Sequence, residues 1–390
     1  MGKILFYQWN AFMQRGIENA LKALHIDYDT YYDIPKNWDK DVAFSNRFIK
    51  KIEKENYSKI LSVNFLPLIS DICENKKIKY ISWVYDSPLH IRRKNTLKNA
   101  CNTIYFFDRV QADTYRQEGV EGARYLPLAS SPKVFGIGET VSDNKEYTSD
   151  VAFLGQLYKS EFYDIAGGLS QYNRGYLEAV MDAQIVMPQG YLVDEMLDSD
   201  VMGSINKDFL KKSNGTYMVT KEELSYTLAK EITGRLRVTA LSVLQNRFDV
   251  DVYSGDRSEQ LNNVNYKGYA DYYNRMPEVF TRSKINLNIS LCTIQSGIPL
   301  RAMDICGSGG FLLSNYQADF YDVFVPGEDV VLYDSLDDMI KKCRYYLGHE
   351  KERQQIADNG YGKIVSGHTY DIRFKEIFDV VFNKDIGLYL

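Results

Sequence analysis

The densest set of residues suited to binding chemistry is Ser296-Gly-Ile-Pro-Leu-Arg-Ala-Met-Asp-Ile-Cys-Gly-Ser-Gly-Gly310, between two strand-like runs. Gly297, Gly307, Gly309 and Gly310 permit close backbone approach. Arg301 suits a phosphate, and Asp304 suits a pair of vicinal hydroxyls such as a ribose diol. The same residues also fit a plain helix between two strands, with Asp304 solvated and the glycines serving turns. A second cluster, Trp83-Val-Tyr-Asp86-Ser-Pro-Leu-His90, follows another strand-like run. Asp86 and His90 could act as general base and partner. Taken alone, these residues fit better with Asp86 and Ser87 capping a helix that Pro88 begins. A third segment, Gly155-Gln156-Leu-Tyr158-Lys159, could turn backbone N–H groups and the Lys159 ammonium toward a diphosphate. It matches neither the dinucleotide fingerprint nor the P-loop.

Metal chemistry has little support. The four histidines are scattered, and none stands at helical ligand spacing from another. Four D-x-D pairs occur, Asp27/Asp29, Asp39/Asp41, Asp198/Asp200 and Asp249/Asp251. None follows a convincing apolar strand, so no metal site is expected. Five widely spaced cysteines suit reduced thiols and a cytoplasmic setting. The net charge of −5 gives no general attraction to nucleic acid. No run is long and apolar enough for a membrane span, and the first ten residues read as a strand.

The elements that must position these clusters alternate. Runs at Ile4–Trp9, Asp27–Tyr32, Ile60–Phe65, Tyr80–Tyr85, Thr103–Phe107 and Arg124–Leu128 read as strands separated by helix-length segments. The pattern restarts at Asp150–Gly155 and continues at Val250–Ser254, Asn263–Tyr266, Lys284–Ile289, Phe311–Ser314 and Val330–Tyr333. At 390 residues the chain is long enough for two domains. The expectation is an α/β fold with a Rossmann-like domain over 1–135, a polar linker around Glu139–Ser149, and a second Rossmann-like domain over 150–370. The second domain carries a helical insertion at about 157–235. A final helix over 371–390 is expected to pack back toward the first domain. Ligands of open parallel sheets bind beyond the strands' carboxyl ends, so the site should lie between the two sheets.

Several motifs occur together in order: Ser283-Lys-Ile-Asn-Leu-Asn-Ile-Ser290, Pro299-Leu-Arg-Ala-Met-Asp304, Gly307–Leu313, Gly327-Glu-Asp329, Tyr345-Tyr-Leu347, and His368-Thr-Tyr370. With Phe65-Leu-Pro-Leu-Ile-Ser-Asp71 and Ser82–Pro88, the chain resembles the CgeB-like, spore-maturation-type glycosyltransferases. That resemblance implies a GT-B fold, a nucleotide-sugar donor (a UDP-sugar) on the second domain, and a glycan or protein acceptor on the first. It implies no metal and no further cofactor. Donor contacts would come from Gly155, Gln156, Tyr158, Lys159, Asn288, Ser296, Gly297, Arg301, Asp304, Gly307, Gly309 and Gly310. Retaining relatives carry E-x7-E. Asp304 falls at its second, ribose-binding position, and Ser296 replaces the first carboxylate. This departure leaves retention and inversion both open, with Asp86 or His90 as the base if the enzyme inverts. A nucleotide-sugar epimerase and a non-catalytic nucleotide-sugar-binding protein are the alternative readings.

Overall fold

The computed structural model describes residues 2–135 and 146–386. Most of the expected linker therefore lies outside the described residues, as does the end of the final helix. The first half contains β1 (Ile4–Gln8), α1 (Gln14–Ala23), β2 (Tyr28–Tyr32), α2 (Val42–Ile52), β3 (Lys59–Val63), α3 (Pro67–Lys76), β4 (Lys79–Val84), β5 (Asn102–Phe106), α4 (Arg109–Gln117) and β6 (Ala123–Tyr125). Its sheet runs β2-β1-β3-β4-β5-β6, every pair parallel. The central strands β1, β3 and β4 are buried on both sides because helices cover both faces. Ile4, Leu5 and Phe6, three residues in a row, are all fully buried.

The second half begins with β7 (Ser149–Leu154), followed by the helical insertion: α5 (Phe162–Ala166), α6 (Gln171–Val186), α7 (Leu192–Met196), α8 (Ser199–Lys212) and α9 (Lys221–Leu244). The sheet resumes with β8 (Val250–Tyr253), β9 (Asn265–Tyr266), α10 (Arg275–Arg282), β10 (Ser283–Asn288), α11 (Leu300–Gly307), β11 (Leu312–Asn315), α12 (Phe320–Val323) and β12 (Val331–Tyr333). Its order is β12-β11-β10-β7-β8-β9, again all parallel. Helices α13 (Leu336–Gly348), α14 (Glu350–Gly367) and α15 (Tyr370–Ile386) close the chain.

Local sequence explains the main helix boundaries. Thr220 and Glu223 form a reciprocal capping box at the start of α9, and Ser335 caps α13. The aspartates of the D-x-D pairs have similar duties: Asp41 caps α2 and Asp198 caps α8. Asp29 pairs with Lys3, and buried Asp251 accepts from Asn265.

Each sheet has one switch point, where connections leave in opposite directions and the loops part. In the first sheet it lies between β1 and β3, and in the second between β7 and β10. One apolar core crosses the boundary, joining Ile4, Phe6 and Trp83 of the first half to Met303, Tyr370 and Phe374. Helix α15 packs on α1 and on Trp83, whose ring meets Tyr370 at 5.8 Å and Phe374 at 5.9 Å. Two stretches of chain thus pass between the halves. They touch where Ser130 and Thr369 form a parallel bridge, Ser130 N–H donating to the His368 carbonyl at 3.1 Å.

Candidate functional site

Beyond β7 and β10, at the second sheet's switch point, two arginines come together. Arg237 stands on the buried stripe of α9 and is 3% exposed. Its guanidinium donates to the Ile289 carbonyl at 3.1 Å through Nε and to the Gln156 carbonyl at 2.6 Å through Nη1. It also lies over the Tyr158 ring at 4.7 Å. Arg301, in the first turn of α11, sits beside Gly155. A Cβ there would come within 3.1 Å of Arg301 Nη1, and the φ of +157° is one that residues with a side chain rarely adopt, so the close approach favours glycine. Among the described residues, neither arginine forms an ion pair and Arg301 Nε has no hydrogen-bond partner. Burial and the neighbouring Arg237 charge push Arg301 down to about 10. Arg237 is also held below its ordinary value, chiefly by burial. Two desolvated cations beside the α11 N-terminus, neither ion-paired among the described residues though the Asp304 charge acts on Arg301, form a site suited to a phosphate-bearing anion.

Gly155, Gln156, Tyr158 and Arg301 therefore gather with Arg237, a residue sequence reasoning missed. Lys159 is exposed beside them. Asn288 ends β10, buried, donating to Ser314 Oγ at 2.9 Å, and its Oδ1 has no partner among the described residues.

Other expected donor residues are engaged elsewhere. Ser296 Oγ donates to Asp108 Oδ1 at 3.1 Å and accepts from the Val110 N–H at 3.1 Å. The Asp108 carboxylate also takes the N–H groups of Gln295 at 2.7 Å and Ser296 at 3.2 Å. Gly297 packs on Phe107 and Asp108. These residues clamp the two halves together. Asp304 is not solvated; it is 1% exposed and accepts from Ser130 Oγ at 2.9 Å and Tyr272 Oη at 2.7 Å. Burial pushes its carboxyl up to about 7 against the pull of those hydroxyls.

Gly307, Gly309 and Gly310 depart from their expected position. Helix α11 runs back from the carboxyl edge, so the turn it ends in lies at the sheet's amino edge. There Gly307 packs on Ser130, and Gly310 faces the Phe280 carbonyl just before β10. A diphosphate between the two sheets would not reach this turn.

On the first half, Asn64 follows β3 and Asp86 follows β4. Asn64 Nδ2 donates to Asp86 Oδ2 at 2.6 Å, and Asn64 Oδ1 accepts from the Tyr85 N–H at 3.0 Å. Burial raises the Asp86 carboxyl. No helix starts at Pro88, so capping does not explain Asp86; residues 86–93 form an irregular loop. Ser87 and Thr293 tie that loop to the one after β10, each hydroxyl donating to the other residue's carbonyl, at 3.0 and 2.5 Å. The His90 ring stands edge-on to Tyr226 of α9 at 4.2 Å. Desolvation by the groups packed around its ring, and nearby Lys230, hold His90 below its usual value. Tyr226 is raised to about 12 by burial, with Tyr158 and Asp86 both contributing.

Residues 229–379 match the model of a family described as glycosyl transferase-like. The match begins inside α9 and includes Arg237, Arg301 and Asp304. No curated protein sequence matches the chain. Among solved structures, sucrose-phosphate synthase from Thermosynechococcus elongatus is similar at 10% identity and TM-score 0.56, over 98% of this chain and 100% of that one. HepE from Anabaena in complex with UDP is similar at 10% identity and TM-score 0.52, with the same coverage. A glycosyltransferase from Rickettsia africae is similar at 9% identity and TM-score 0.50, over 97% of both chains. With its two facing six-stranded parallel sheets, the chain has the GT-B fold of glycosyltransferases.

Proposed function

We propose that this protein is a glycosyltransferase of the CgeB-like kind. It would move a hexosyl group from a nucleotide-sugar, a UDP-sugar by preference, to an acceptor hydroxyl without a metal ion. The observation that carries this reading is the Arg237–Arg301 pair, two desolvated guanidiniums beside Gly155 with no ion-pair partner among the described residues. A diphosphate would supply the missing negative charge. Charge that develops on the leaving diphosphate would meet fixed cations, the α11 N-terminus and exposed Lys159, which together do the work of a divalent ion. The UDP bound in Anabaena HepE, a protein of the same fold, is consistent with that nucleotide. The lack of a carboxylate at Ser296, and that residue's engagement with Asp108, favour inversion. In that course the Asp86 carboxylate takes the acceptor proton as the acceptor oxygen bonds to the anomeric carbon. The bond from that carbon to the diphosphate oxygen breaks, and the diphosphate leaves with the electron pair. The raised Asp86 carboxyl is a stronger base than an ordinary aspartate, and Asn64 orients it. His90 and Tyr226 would line the path between donor and acceptor.

The test is thermal unfolding with UDP-, GDP-, dTDP-, ADP- and CMP-sugars, with and without EDTA. A ligand at a hundred times its Kd stabilises the fold by about 2.7 kcal/mol. One nucleotide should raise the midpoint regardless of EDTA, and Arg301→Ala should remove most of that rise. Absence of a shift with every donor would refute the reading.

A further inference from the structure

The first sheet's switch point carries a feature that donor chemistry does not use. Four strands end side by side in the order β2-β1-β3-β4, and each delivers a distinctive side chain to the same edge. Trp9 follows β1, Asn64 follows β3, and Tyr85 and Asp86 follow β4. Trp38 lies in the loop after β2. The Trp9 and Tyr85 rings are nearly parallel, 14° apart in plane with centroids at 6.5 Å. Trp38 meets Trp9 edge-on at 4.9 Å. All three aromatics are part-exposed, whereas Trp83, on the same sheet, is fully buried.

This aromatic surface is held rigid by polar anchors. Trp9 Nε1 donates to the Val63 carbonyl at 2.8 Å. The loop bearing Trp38 is fastened at Asp39, whose Oδ1 accepts from the Arg92 and Arg93 N–H groups at 3.1 and 3.0 Å. Two charged neighbours are already matched, Arg93 with Asp71 and Arg47 with Asp33. What remains open is aromatic area next to the Asp86 carboxylate, with the exposed Lys36 and Lys40 flanking Trp38. Sugar rings present flat C–H faces that lie against aromatic rings, and they ring those faces with hydroxyls that need partners at the edge. Rigid anchoring lowers the ordering cost of binding.

We propose that Trp9, Trp38 and Tyr85 form a carbohydrate platform. On it an oligosaccharide acceptor lies with one hydroxyl beside Asp86 and Asn64. The proposal rests on the glycosyl-transfer reading and narrows its acceptor to a glycan. The platform adjoins the donor site through the Ser87–Thr293 clasp.

The experiment is a tryptophan-emission titration of the full chain. Two of its three tryptophans belong to the platform and the third is buried. The probes are maltotriose, cellotriose, chitotriose and lactose, beside a Ser/Thr-rich peptide and a detergent-solubilised polyprenyl phosphate. A saccharide should shift the emission. Trp38→Ala, followed by calorimetry, should weaken that saccharide about tenfold or more while UDP still raises the thermal midpoint. Binding of the peptide or the polyprenyl phosphate alone would overturn the proposal, as would saccharide binding that Trp38→Ala leaves unchanged. Failure of every saccharide with UDP still stabilising would overturn the platform and spare the transfer reading. Saccharide binding without any nucleotide effect would keep the platform and sink the transfer reading.

Discussion

A carboxyl that folding lifts from 3.8 to about 7 makes stability depend on pH. Between those values the folded chain keeps a proton on Asp304 that the unfolded chain has lost. The native state thus binds more protons, and stability falls as pH rises from about 4 to about 7. The contribution is whole below that window and lost above it. Asp304→Asn keeps an acceptor for Ser130 or Tyr272 and cannot titrate, so its midpoint temperature should change less across pH 4–7 than that of the parent. Parallel curves would show that Asp304 titrates as an ordinary aspartate. Asp304 and Arg301 were both legible as charged residues on a short helix after a strand. Their different fates were not, because a residue's surroundings depend on Ser130 and Tyr272, which are distant in sequence. Arg237 did leave one mark: an arginine on the apolar stripe that runs through Thr233, Leu241 and Leu244. A cation on a buried stripe needs a partner the helix cannot supply.

Helix α9 is the element on which the donor site depends, since it carries both Tyr226 and Arg237. It lies so close to the turn after β7 that a Cβ on Gly234 would come within 2.8 Å of the Leu157 and Tyr158 carbonyls. Gly234→Ala should therefore push that turn away, destabilise the fold by about 1–3 kcal/mol, and weaken nucleotide binding as the Arg237–Gln156 bond lengthens. Urea unfolding and nucleotide calorimetry on one preparation would measure both. Unchanged affinity would mean that the turn does not shape the site. The strands were readable as elements because runs such as Ile4–Phe6 and Val151–Phe153 are continuously apolar and end near a turn. The edge on which a turn lies was harder to read. Gly307–Gly310 and Gly155 are alike in composition. Only the direction of α11 puts the first group at the amino edge, away from the ligand. The Trp38 platform was invisible for a related reason, since register and sheet order alone bring it to Trp9.

At the scale of the whole molecule, the last helix belongs structurally to the first half. Phe374 is fully buried against Trp83. Phe374→Ala should cost about 3–5 kcal/mol and move Trp83 emission to longer wavelength. A loss below about 0.5 kcal/mol, within the range of a surface change, would argue that α15 is not docked in solution.

The bridge between Ser130 and Thr369 places both crossings of the chain side by side. A single tether would act as a ball joint, free to swing and twist. Two tethers joined at one point act as a pinned door, whose leaves turn about one axis and resist every other rotation. With the halves also fastened at Ser87–Thr293 and Ser296–Asp108, the pin leaves one register for the loop that carries Asp86 and the helix that carries Arg301.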